Sequence, residues 1–252
     1  MTRRRILNYT SKKKADVMIS AFVLAPNATP VVGAGVTLDG DKQFNSLWCA
    51  TSRDMTLGTN LPGNEALRTS DTCFMRGLKE KITFSSNTGA SWRWRRICFT
   101  VKGGIISSST ELETSNQGWT RLLYDLAVNS STDMTALRTA VFKGAAGLDW
   151  ADPFTAPVDN GRVTIKYDRT MTINSGNANG RYLTKSMWHP MNKNLVYSND
   201  QQGPDMSPDY RSVVGKAGMG DYYVYDIIEC ATKAVADKLV FNPEATLYWH
   251  EK

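Results

Sequence analysis

A chain of 252 residues can bury roughly 70–75% of the surface that its unfolded form exposes, so it needs neither disulfides nor a structural metal to hold a core. Its composition, 41% hydrophobic and 21% charged, is that of an ordinary globular chain, and the longest apolar run, residues 19–26, is too short to cross a bilayer. The net charge of +6 is placed unevenly: Arg3, Arg4, Arg5, Lys12, Lys13 and Lys14 account for all of it, and across the remainder 24 basic residues balance 24 acidic ones.

Residues 1–14 therefore read as a basic N-terminal arm and residues 15–252 as a formally neutral body. Copies of such a body can associate without long-range repulsion, while the arm seeks a polyanion. A solvated terminus is the plain alternative. The two basic triplets also resemble a nuclear import signal, and the stretch lacks the apolar core of a secretory signal. Cys49, Cys73, Cys98 and Cys230 form no CxxC pair, and apolar or aromatic neighbours around three of them suit reduced, buried thiols.

After the arm, residues 15–25 are expected to form a first buried strand, ended by Pro26 and Pro30. A turn-rich passage leads to a second strand over 44–51, and the glycines, prolines and asparagines of 58–71 make a loop. Residues 79–84 alternate and stop at a hairpin-like break, SSNTG. The next strand, 91–101, has an uneven phase, with Trp92 and Trp94 on one side and Ile97, Phe99 and Val101 on the other, so a bulge is expected near Arg95 or Arg96.

One helix is expected, over 133–143: Met134, Leu137 and Val141 fall at i, i+3 and i+7, Ser131, Thr132 or Asp133 can cap it, and Gly144 stands where a left-handed residue closes a helix. An irregular connection follows to residue 160. Residues 162–173 then give a half-buried strand with Val163, Ile165, Tyr167, Met171 and Ile173 on one face. Further strands are expected over 181–188, 222–229 and 245–249, with a polar loop over 192–220. Many strands, one short loop helix and long loops point to an all-β chain, an antiparallel β-sandwich without a second domain.

Little of the sequence speaks for catalysis. His189 and His250 lie in aromatic settings with no second histidine or paired cysteine at a metal-ligand spacing, so each reads as a hydrogen-bonded or surface imidazole. A Cys–His pair would have to be made in space, and no local pattern marks one. Gly33 and Gly35 lack the third glycine of a dinucleotide loop, and no GxxxxGK[ST] occurs. No enzyme, metal or cofactor is expected.

The second basic cluster is Trp92, Arg93, Trp94, Arg95 and Arg96, with Arg76, Lys79 and Lys81 upstream. Indoles interleaved with guanidiniums suit single-stranded nucleic acid, because unpaired bases stack on aromatic faces while arginines hold phosphates. Inward-packed tryptophans with ion-paired arginines are the structural alternative. For the arm, six engaged charges would give a salt slope of roughly −4 on single strands, without sequence preference.

The stretches SDTCFMRGLKEK (70–81) and SWRWRRICFTVKG (91–103) resemble the capsid (coat) protein of genomoviruses, the gemycircularvirus-like group with small circular single-stranded DNA genomes. GLDWADPFTAPVD (147–159), WHPMNKNLVY (188–197), DYYVYD (221–226) and PEATLYWHEK (243–252) carry the same resemblance, which runs from about Thr2 to the last residue. It implies a single jelly-roll domain of two four-stranded antiparallel sheets, a homo-oligomer forming a small icosahedral shell around single-stranded DNA, and no membrane association. It also implies that the basic arm binds genome and directs nuclear entry through a host import receptor, with the protein found in the virion and the host nucleus. Coat proteins of the group typically open on a longer Arg-rich arm than the one before Ala15. The rivals are a monomeric single-stranded nucleic-acid-binding β-sandwich module and an enzyme or lectin of jelly-roll form.

Overall fold

The computed structural model of the chain describes residues 9–55, 66–203, 205–207 and 209–252. Eight strands make its frame: β1 (Lys12–Met18), β2 (Phe44–Cys49), β3 (Thr72–Ser86), β4 (Trp92–Val101), β5 (Thr164–Ile173), β6 (Tyr182–Val196), β7 (Asp221–Cys230) and β8 (Lys238–Glu251). They form two antiparallel sheets, ordered β1–β8–β3–β6 and β5–β4–β7–β2. A short strand, Val36–Asp39, lies along β8 beside β1 and makes the first sheet five-stranded. Among the eight, only β4 and β5 are chain neighbours within one sheet; every other connection passes between sheets. The chain is thus an all-β sandwich, with five and four strands where four and four were expected.

Alternation along the strands places the core. In β8 every second residue from Leu239 to Glu251 is buried, so that sheet has an inner and an outer face. In β2 and β7 every residue is buried, because the second sheet is covered on both sides. Its inner face meets the first sheet through Phe84, Trp94, Ile228 and Phe241 at one end and Leu78, Cys98, Val224 and Leu247 at the other. The insertion between β4 and β5 covers its outer face. That insertion includes Arg121–Tyr124, paired in parallel with Ser20–Val23, then α1 (Leu126–Asn129) and α2 (Ser131–Val141). Leu137, Val141, Phe142, Trp150 and Phe154 pack there against Tyr225 and Ile227.

Several expectations are corrected. The first strand begins within the arm, at Lys12, and Ile19 separates it from Ser20–Val23, which joins a different sheet. No hairpin links β3 and β4; they sit in opposite sheets, so SSNTG is a crossing between layers. β4 pairs with β7 without a register shift, and the irregularity lies instead on β5, between Ile165 and Tyr167. The uneven apolar phase of β4 arises because both its faces are covered, which removes the polar half of the alternation. There are two helices among the described residues, not one, and Ser130 caps α2, its Oγ accepting from Asp133 N at 3.3 Å. Asp133 instead accepts from the Ser107 and Ser108 amides at 2.8 and 2.9 Å. Gly144 is left-handed, at φ +81°, but does not close the helix as expected, because α2 already ends at Val141 on an extended cap, Phe142. All four cysteines are buried and unbridged, and no described helix is long and apolar enough to cross a membrane.

Candidate nucleic-acid interface

Apart from Arg93, the tryptophan–arginine cluster lies inside the protein, where it cannot meet a polymer. Trp92 and Trp94 are each 1% exposed. The Trp94 ring packs 4.9 Å from Phe84 and 6.2 Å from Phe241 across the sandwich, and its Nε1 donates to Asp226 Oδ1 at 2.7 Å. Arg96 donates through Nε and Nη2 to both oxygens of Asp226, at 2.8 and 2.9 Å, and through Nη1 to Glu80. Arg121 completes the ring, donating to Asp226 at 2.7 Å and to Glu80 at 3.3 Å. All four side chains are fully buried, so two cations and two carboxylates compensate one another in the core. On the outer side of β4, Arg95 is held by Asp168 and by the carbonyls of Pro153 and Ala156, while Arg93 lies between Glu229 and Asp152 and over the Phe154 ring. The nucleic-acid role expected of Trp92, Trp94, Arg95 and Arg96 therefore gives way to their part in the core; Arg93 keeps a partly open side but has both its carboxylate partners.

Space also brings together a Cys–His pair that no motif announced. Cys98 Sγ is 3.9 Å from His189 Nδ1, and His189 Nε2 stands 3.4 Å from Glu80 Oε2. Burial favours a neutral imidazole, but the Cys98 thiol and the Glu80 carboxylate outweigh it and raise His189 to about 9. Glu80 feels the same burial, overcome by Arg96, His189 and Arg121, and is held at about 2. The thiol and imidazole are closed off between the sheets, so they have no path to a substrate. A recess of about 490 Å³ between the Pro26–Pro30 turn and Tyr124 is mainly apolar, and its carboxylate Glu111 is already paired with Arg211 at 2.8 Å.

Of the arm, Arg3, Arg4 and Arg5 lie outside the described residues. Lys12 and Lys13 are exposed on β1. Lys14 is not available, because its ammonium pairs with Glu251 at 3.1 Å and donates to Leu67 O at 2.6 Å and Thr69 Oγ1 at 3.2 Å. The boundary between arm and body thus falls before Lys12, since this strand pairs with β8 from Lys12 to Met18.

Among the described residues, what remains open is the outer face of the first sheet. Alternation and register bring to it Lys13 and Val17 from β1, Phe74, Arg76, Lys79 and Lys81 from β3, Tyr182, Ser186 and Trp188 from β6, and Glu244, Thr246, Tyr248 and His250 from β8. Apart from the Lys238–Asp39 ion pair at one end, four cations there face a single carboxylate, Glu244, among the described residues. Two register shifts meet at Arg76. Against β8, Tyr248 and Trp249 oppose Gly77 and Met75; against β6, Pro190 and Lys193 oppose the same two residues. Arg76 is therefore the extra residue of a bulge, which re-aims a side chain, and its guanidinium donates to Asn192 Oδ1.

Beside Arg76 is a recess of about 230 Å³ lined by Lys13, Lys14, Arg76, Trp188, Tyr248, Trp249 and His250. Its floor is Trp249, whose Nε1 donates to Glu251 at 2.8 Å. Its walls are Trp188, 49% exposed, and Tyr248, with ring centroids 5.9 Å apart and planes inclined at 57°. Gly77 allows this: a Cβ there would meet Trp188 Cζ2 and Cη2 at 2.6 and 2.8 Å, so only glycine lets the indole rest on the backbone. Partial burial first, then the charges of Arg76 and Lys13, push His250 below its ordinary range.

In the sequence Arg76, Lys79 and Lys81 stand only as upstream neighbours of the tryptophan–arginine cluster, His250 reads as a hydrogen-bonded or surface imidazole, and Trp188 and Tyr248 fall within expected strands. Their alternation was readable, but their meeting depends on β3 lying between β6 and β8. The sequence matches no family model and no curated protein.

Proposed function

We propose that this chain is a viral coat protein of jelly-roll form, which assembles in many copies into a small icosahedral shell around single-stranded DNA. The observation that carries the reading is the strand order: an eight-stranded sandwich in which β1–β8–β3–β6 packs on β5–β4–β7–β2, with nearly every connection crossing between layers. Paired Greek keys of this kind make the double-sheet jelly roll used by capsid and lectin domains. Resemblance to genomovirus coat proteins supplies the particular choice. Support also comes from the charge distribution, since the neutral body can crowd against copies of itself while Arg3–Arg5, Lys12, Lys13 and the open basic sheet face supply counter-charge for phosphates. Folding of the second triplet into β1 leaves Arg3–Arg5 as the segment for a host import receptor, consistent with a protein of the virion and host nucleus. No catalytic role is proposed.

The test is assembly. Purified protein examined by size exclusion and negative-stain microscopy should give closed particles, with nuclease-resistant absorbance at 260 nm once nucleic acid is enclosed. A monomer at every salt concentration that still binds single strands would favour the monomeric binding module instead.

A further inference from the structure

We infer that the recess between Arg76, Trp188, Tyr248 and His250 is a nucleotide site, which takes one unpaired base of a single strand against the Trp188 indole and the adjoining phosphates on Arg76 and Lys13. It deepens the coat-protein reading by naming the polymer's contact surface, and rests on that reading only for single-stranded DNA as the polymer.

Three features of the recess require a ligand of this kind. First, a large indole is left half exposed, and Gly77 seats it against the backbone, so the platform is rigid before anything binds. Second, the inclined planes of Trp188 and Tyr248 leave a wedge open to solvent, and its volume of about 230 Å³ suits one flat ring system rather than a folded partner. Third, the cations are concentrated on this side: Lys13 and Arg76 border the wedge, while Lys79 and Lys81 continue along β3 at a spacing of roughly 7 Å per two residues, a track for successive phosphates. Among the described residues and apart from the paired Asp39, the one outward carboxylate of this face, Glu244, stands opposite Lys81, away from the recess. An aromatic platform bordered by cations is complementary to a polymer that alternates flat bases with anions.

The probes are a labelled ten-nucleotide deoxythymidine strand and an abasic strand of equal length, bound to the full chain over a range of salt concentrations. The base-bearing strand should bind on the order of tenfold more tightly. Trp188→Ala should abolish that preference while leaving abasic binding unchanged, and Trp188→Phe should restore most of it. Arg76→Gln should weaken both strands and lower the logarithmic salt slope by roughly 0.7. Equal binding of the two strands by the native chain, or an unchanged preference in a folded Trp188→Ala variant, would overturn the inference. Microscopy of the same preparations keeps the two readings apart: shells that hold nucleic acid without any base preference sink the recess alone, whereas base preference without shells sinks the coat protein and leaves the recess standing.

Discussion

Arg96 shows how far a residue's neighbours decide its role. Taken with Trp94 it looks like a nucleic-acid contact, yet Asp226, Glu80 and Arg121 arrive from three other segments to neutralise it in the core. A buried pair of this kind adds little net stability over a well-packed apolar substitute, but removing one partner leaves an uncompensated charge. His189 borders the same network, and its titration should be visible in stability. Its protonated form is favoured by folding, since its pKa of about 9 lies above the ordinary 6.5. That contribution is complete below pH 6.5 and is lost as pH rises through 9, to the extent of about 3 kcal/mol. Glu80 acts at the other end, with a contribution present above pH 4.5 and lost as pH falls through about 2. Asp125 and Asp221, each raised to about 6 by burial, cost stability as pH rises from 3.8 through 6, below the histidine window. Urea unfolding at pH 6.5 and pH 9 should therefore show a marked loss for the native chain and a much smaller one for His189→Gln; equal losses would mean that the imidazole is neutral in the fold.

At the scale of elements, β1 is the clearest case of what a local pattern conceals. Three consecutive lysines read as a solvated tail, because nothing nearby in sequence shows that β8 offers a free edge or that Glu251 waits for Lys14. The strands with alternating or continuously apolar sequence, β2, β5 and β7, were legible, and so was α2, because their signals are contained within them. β4 was legible as a strand, although not in its orientation, since both its faces are covered. The open face was only half legible: its cations could be counted along β3, but Trp188 and His250 meet them only through pairings that span more than 100 positions of the chain. Truncation tests the redrawn boundary. Removing residues 1–8 should leave the thermal midpoint nearly unchanged and lower the single-strand salt slope by roughly 2 through loss of three arginines. Removing residues 1–18 should expose the edge of β8, strand Glu251 without Lys14, and yield aggregated or unfolded protein. A soluble, cooperatively unfolding 19–252 chain would show that β1 is dispensable.

For the whole molecule, the asymmetry between the two sheets matters most. The outer face of the second sheet is roofed by α2 and the 144–160 connection, which bury Phe142, Trp150 and Phe154, and the connection supplies Asp152 to Arg93 and two carbonyls to Arg95. Among the described residues nothing roofs the outer face of the first sheet, which carries the exposed cations and the recess. In a shell enclosing DNA these faces cannot be equivalent. The unroofed sheet would lie on the inner wall, where its charge offsets that of the genome, and the roofed side would turn outward. Lysine acetylation followed by mass spectrometry distinguishes the two orientations. In subunits dissociated at high salt, Lys13, Lys79 and Lys81 should react as readily as Lys143, which is exposed at the end of α2. In filled particles the first three should be protected at least about tenfold, from stable occupancy by phosphates, while Lys143 stays reactive. Shells assembled without nucleic acid should leave Lys79 and Lys81 reactive if a small reagent passes through the shell, because in filled particles the genome rather than a neighbouring subunit covers them. The opposite pattern, with Lys143 protected and Lys79 reactive in filled particles, would turn the first sheet outward and move the recess from genome binding to an external ligand.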